Sequence, residues 1–136
     1  RLSIVFCEPN VAVVGHTFAE LQQQDIAVGE VRFDRQGRAK IMAENTGMLR
    51  VYGDKQSGRL LGAELAAPRG EHLAHLLAWA IQKHLTVFDL LQLPFYHPVI
   101  EEGLRTALRD LSRQVSAQRP GFELALCNSA AVADLG

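Results

Sequence analysis

The chain has 136 residues, enough for one ordinary domain with a single core and too few for two. A hydrophobic fraction of 48% and a charged fraction of 21% mark a globular rather than a disordered chain. A formal net charge of −1 gives no electrostatic reason to expect nucleic acid or an anionic membrane as partner, and no apolar run is long enough to span a bilayer.

Residues 2–7 (LSIVFC) and 11–14 (VAVV) are β-branched and apolar, and the turn Glu8-Pro9-Asn10 divides them into two predicted strands. A chain that opens in mid-strand without Met reads as a piece cut from something longer. Thr17 and Glu20 have capping-box spacing, which predicts a short helix over 17–24. Residues 26–33 (IAVGEVRF) read as a further strand with Gly29 as a candidate bulge. The segment 37–47 (GRAKIMAENTG) reads as irregular or partly extended. Alternation of Leu49/Val51 and of Leu61/Ala63/Leu65 around Lys55-Gln56-Ser57-Gly58 predicts a hairpin over 48–54 and 59–67.

After Gly70 the period changes. Leu73, Leu76, Leu77, Ala80 and Ile81 form one stripe, predicting a helix over 71–84. Thr86 and Asp89 cap a shorter helix that Pro94 ends. A third helix is predicted to start at Pro98, where a missing N–H costs nothing, with Ile100, Leu104, Leu108, Leu111 and Val115 on one face. Strands first and helices afterwards give an α+β class, a mostly antiparallel sheet with helices packed on one side. Residues 1–115 form the domain and 116–136 a loosely held tail.

Cys7 and Cys127 lie at opposite ends, with no zinc or redox spacing between neighbours. Two unrelated reduced thiols in a cytoplasmic protein is the preferred reading over a Cys7–Cys127 bridge.

The stretch 94–104, PFYHPVIEEGL, pins a histidine between prolines and places two glutamates just beyond it. Helical side chains lean toward their own N-terminus, so Glu101 or Glu102 can reach back to the His97 ring. A carboxylate on one ring nitrogen fixes the tautomer and leaves the other nitrogen aimed outward, the base-and-orienter half of a catalytic constellation. Glu101 stands four residues before Arg105, the favourable order for a helical ion pair, which leaves Glu102 freer to serve the histidine. The plain alternative is a structural turn with a solvated ring and two first-turn acids complementing the helix dipole.

Three segments carry a family resemblance: IVFCEPNVAVVG (4–15), GMLRVYGDKQSGRLLGAELAAPRGEHL (47–73) and HPVIEEGLR (97–105). Together they resemble the C-terminal interface domain of the flavin-dependent pyridine nucleotide–disulfide oxidoreductases, and among them the dihydrolipoamide dehydrogenases. The likeness covers about residues 2–112 and implies a homodimer. Within it His97 matches the active-site base and Glu102 its orienter, both serving the partner subunit's redox disulfide and FAD, with electrons passing on to NAD. It also implies that the His97 backbone carbonyl approaches the flavin, often through a cis bond to Pro98. Val99 and Glu101 depart from the family's usual Thr and Ser. The intact His97 favours a dithiol/disulfide substrate over mercuric reductase or soluble transhydrogenase chemistry, whose members resemble this pattern with Tyr in its place. No GxGxxG turn and no CxxxxC pair occurs in these residues, so the segment alone is expected to bind no cofactor and to be inactive. The alternatives are a stand-alone interaction module of the same fold without catalysis, or the same domain of another family member similar to the soluble transhydrogenases or mercuric reductases.

Other groups read as secondary. His72 and His75 share a helix side, but no third metal ligand has a recognisable spacing, so no metal is expected. Trp79 and Phe88 read as core or interface fillers, Phe95 and Tyr96 as candidates to line a substrate channel, and Arg35, Arg38 and Lys40 as a mild solvated basic patch.

Overall fold

The computed structural model describes residues 1–117. Five strands form one antiparallel sheet: β1 (Leu2–Val5), β2 (Asn10–Gly15), β3 (Ile26–Arg32), β4 (Met48–Asp54) and β5 (Leu60–Ala67). Their order across the sheet is β1-β2-β5-β4-β3. The β4–β5 hairpin is fixed by Asp54, whose carboxylate accepts from the Ser57 amide at 2.7 Å and its hydroxyl at 2.6 Å. Gly58 then takes φ 75°, a backbone state that favours glycine.

Register puts Ala12, Val14, Ala63, Leu65, Leu49, Val51 and Ala27 on one face, all of them buried. Helix α3 (Gly70–Gln82) covers that face at β2 and β5, and α5 (Glu102–Ser112) covers it at β3 and β4. The short α4 (Val87–Leu91) packs against α5. The four-residue α1 (Phe18–Leu21) lies over the other face. There the Phe18 amide donates to Glu64 at 2.9 Å, and its ring stands 5.8 Å from that of Tyr52. The expected class, an antiparallel sheet with helices on one side, is what the chain forms.

The position of α5 decides where Glu102 lies. Leu104, Leu108 and Leu111 are buried on the sheet, each worth about 1.5–3 kcal/mol. A single exposed hydrogen bond is worth about 1 kcal/mol, so packing places the helix and the helix delivers the carboxylate. Gly29 makes this packing possible. It pairs with Val51 in regular register, so no bulge occurs there; the irregularity falls at Tyr52/Gly53 instead. A Cβ on Gly29 would stand 2.1 Å from the Ala107 carbonyl oxygen. Its role is close approach of helix to sheet.

Other expectations need correction as well. Residues 37–47 are not irregular throughout: α2 (Gly37–Ile41) follows a 3-10 turn at Phe33–Arg35, and Gln36 caps it by accepting from the Ala39 amide at 2.6 Å. The last helix starts at Glu102 with Glu101 as its N-cap, not at Pro98, because 97–101 stay outside the helix while Ile100 turns into the core. Leu76 belongs to the exposed side of α3, at 39% exposure, rather than to the buried stripe. The cap pattern at Thr17 gives a shorter helix than 17–24, and the tail beyond 117, with Cys127, lies outside the described residues. Cys7 is a free, exposed thiol.

Candidate active site

His97 sits on the loop between α4 and α5, joined to Pro98 by a cis peptide bond. Its side chain is 77% exposed. Glu102, the first residue of α5, reaches back so that both carboxylate oxygens lie 3.0 Å from Nδ1 of the ring. A carboxylate only accepts, so Nδ1 carries the hydrogen and Nε2 holds the free lone pair. The Val99 amide donates to the same carboxylate at 3.2 Å. Partial burial acts to raise the Glu102 pKa, but the hydrogen bonds from His97 and Val99 outweigh it and hold the group below the usual carboxylate range. Glu102 is thus kept ionised as an acceptor.

Of the two acids, Glu101 makes no side-chain capping bond and faces away toward α3. No Glu101–Arg105 ion pair forms among the described residues. The Arg105 guanidinium instead lies 5.6 Å from the centre of the Phe95 ring, an arrangement that braces the loop on its other flank.

Beside the loop runs a cleft of about 420 Å³ between α3 and residues 93–99, lined chiefly by Leu76, Trp79, Leu93, Tyr96, Val99 and Leu104. Trp79 is 60% exposed and Tyr96 76% exposed, whereas Phe88 is buried in the core. Phe95 and Tyr96 therefore do line a cleft. His72 and His75 do not converge. His72 lies 3.5 Å from Glu71, and the His75 ring packs edge-on against Trp79 at 4.9 Å. Among the described residues no group of His, Cys, Asp and Glu is placed to hold a metal ion. Of the basic patch, Arg35 and Lys40 are exposed and Arg38 is half-buried.

Gln36 is the member of this site that sequence reasoning missed. Its side-chain amide donates to the Val99 carbonyl at 2.7 Å across 63 residues of sequence. The available signal, a polar residue just ahead of the Gly37-Arg38-Ala39-Lys40 run, marks a weak cap and says nothing of Val99.

Residues 2–108 match the family described as pyridine nucleotide-disulphide oxidoreductase, dimerisation domain. The chain belongs to that family. It is 34% identical over 107 residues to a dihydrolipoyl dehydrogenase of Rhizobium etli, a match covering 77% of this chain and 22% of the relative. It is 30% identical over 107 residues to the human mitochondrial dihydrolipoyl dehydrogenase, covering 77% of this chain and 21% of that protein. The chain thus spans about a fifth of the length of these relatives. In fold it is similar to the HOCl-induced flavoprotein disulfide reductase RclA from Escherichia coli, with a TM-score of 0.75 at 24% identity over 80% of this chain and 26% of that one. LpdA from Mycobacterium tuberculosis gives a TM-score of 0.75 at 22% identity, over 80% of this chain and 24% of that one. No helix among the described residues is long and apolar enough to cross a membrane.

Proposed function

We propose that this dimerisation domain supplies, to a second copy of the protein, the acid/base pair of a dihydrolipoamide dehydrogenase-like dithiol–disulfide exchange. The observation that carries the reading is the exposed imidazole whose Nδ1 is taken up by Glu102 while Nε2 stays available. In that role Nε2 takes the proton of a substrate thiol. The thiolate so formed attacks one sulfur of a disulfide on the partner subunit, the S–S bond breaks, and the second sulfur leaves as thiolate. Glu102 faces the imidazolium that results and stabilises it. When bound in the intact protein, FAD and NAD supply the electron-accepting chemistry that side chains lack. This segment offers no phosphate-binding turn, and the edge formed by His97 and Pro98 is its expected contact with a flavin.

In the intact enzyme, His97→Gln is expected to lower dithiol turnover by about two to four powers of ten. Near-normal turnover in that variant would sink the assignment.

Self-association fits the exposed apolar strip of Leu76, Trp79, Leu93 and Tyr96, which stands beside the His97 loop. A two-fold contact there carries His97 toward the neighbouring subunit. Trp79→Glu should weaken the dimer by at least about tenfold in sedimentation equilibrium, the effect expected of a central aromatic anchor. An unchanged dimer constant would move the interface elsewhere.

A further inference from the structure

We propose that Gln36 is a positioning residue for His97: its side-chain amide ties the loop that holds the imidazole–carboxylate pair to a capped turn in the body of the domain. The inference rests on the acid/base reading of His97 given above and adds to it the group that sets the geometry.

The connection is a continuous run of hydrogen bonds. The His97 ring donates from Nδ1 to Glu102 at 3.0 Å, and the Val99 amide donates to Glu102 at 3.2 Å. The Val99 carbonyl in turn accepts from Gln36 Nε2 at 2.7 Å. Gln36 Oε1 accepts from the Ala39 amide at 2.6 Å. Both ends of the Gln36 amide are used, so it cannot rotate without losing a partner. Ala39 is fully buried, and Phe33, also fully buried, lies under the first turn of α5. The anchor is therefore rigid where the loop it holds is exposed.

Each link has a physical consequence for the ring. Residue 99 presents both its groups to the site, N–H to Glu102 and C=O to Gln36, so fixing the carbonyl fixes the direction of the amide. That amide competes with His97 for the same carboxylate and sets its tilt. When the Gln36–Val99 bond goes, the loop gains freedom, Glu102 loses a fixed donor, and the imidazole can exchange to the tautomer with hydrogen on Nε2. That tautomer has no lone pair facing outward to take a proton. Sequence distance hides this link, because 63 residues separate the two partners.

Gln36→Glu separates the two jobs of the side chain. It keeps an oxygen for the Ala39 amide, so α2 stays capped, and it replaces the donor facing Val99 by an acceptor that repels the carbonyl. In the intact protein carrying 15N-labelled histidine, the ratio of Nδ1–H to Nε2–H tautomer at neutral His97 should fall about fivefold, the size of loosening one ordinary hydrogen bond. Gln36→Leu, which loses both bonds, should shift the ratio at least as far. Gly37→Ala, whose added methyl meets nothing within 4 Å, should leave it unchanged and controls for disturbance of α2. Dithiol turnover of Gln36→Glu should fall about tenfold with the KM for nicotinamide substrate unaltered, the pattern of lost positioning rather than lost binding. A wild-type tautomer ratio in folded Gln36→Glu overturns the proposal while leaving the role of His97 intact. Normal turnover in His97→Gln would overturn the catalytic reading instead, and the tautomer ratio would still decide whether Gln36 orients the ring.

Discussion

Three helices among the described residues carry in their first turn a carboxylate that turns back on the residues before it, and one of them differs from the others in what it reaches. At α1, Glu20 bonds the Thr17 amide at 2.8 Å while the Thr17 hydroxyl accepts from the Glu20 amide. At α4, Asp89 bonds the Thr86 amide at 2.8 Å in the same reciprocal box. At α5, Glu102 reaches five residues back, to an imidazole and to the Val99 amide, and its N-cap Glu101 makes no capping bond at all. The first two carboxylates close the hydrogen-bond account of their own helix ends. The third leaves the usual cap unfilled and orients a titratable ring in solvent. This departure occurs at a helix whose position is already fixed by buried leucines, and it fits the acid/base role proposed for His97.

Replacing the carboxylates one at a time sharpens the contrast. Below the effect of His97→Gln, the largest change in turnover should come from Glu102→Gln, about ten- to a hundredfold, because the ring remains but its tautomer and the stabilised imidazolium are lost. Thr86→Ala should cost about 1 kcal/mol of stability and leave turnover unchanged. Steady-state kinetics beside urea unfolding of both variants makes the comparison. If Thr86→Ala lowered turnover as much as Glu102→Gln, the distinction between the two kinds of helix entry would be lost.

Gly103→Ala tests whether packing delivers Glu102. An added Cβ would lie 2.8 Å from Cε1 and 3.0 Å from Cζ of the Phe33 ring. Alanine gains about 1 kcal/mol of helix propensity over glycine, whereas forcing apart a fully buried ring costs about 1–3 kcal/mol. Phe33 has no solvent to yield into, so the steric effect wins. The variant should be less stable by up to about 2 kcal/mol in urea unfolding and slower in dithiol turnover, since the first turn of α5 carries Glu102. Unchanged stability would mean that the helix start is free to shift.

Much of this was readable in the sequence because it rests on local chemistry. The hairpin over Lys55–Gly58, the capping boxes at Thr17 and Thr86, and the reach of Glu102 to His97 all involve residues within one or two turns of each other. What escaped depends on partners far away. Gln36 has no local pattern that announces Val99, and α2 is short, with glycine at its first position, so its periodicity is too brief to detect. Gly29 looked like a bulge because strand sequence shows the gap but not the helix that fills it. Leu76 and Trp79 follow helical spacing as core residues do, and only tertiary packing shows that they point outward into a cleft.

The finest test of the comparison is a titration. Glu20 has its pKa lowered to about 2, chiefly by the Thr17 amide and then by Arg1, whose guanidinium meets both its oxygens. A depressed folded-state value means that the group favours folding above its ordinary 4.5, with the contribution lost as pH falls through about 2. Glu20 is solvent-facing, so the effect on stability is small and salt-sensitive. Carbon NMR of the side-chain carboxyl should place its midpoint near 2, and Arg1→Ala should move that midpoint upward. His97→Gln should leave the Glu20 midpoint where it is and raise that of Glu102, since only the latter loses an imidazole partner. Equal movement of both midpoints would mean that the two carboxylates report a shared global change, and the separation of capping acid from orienting acid would fail.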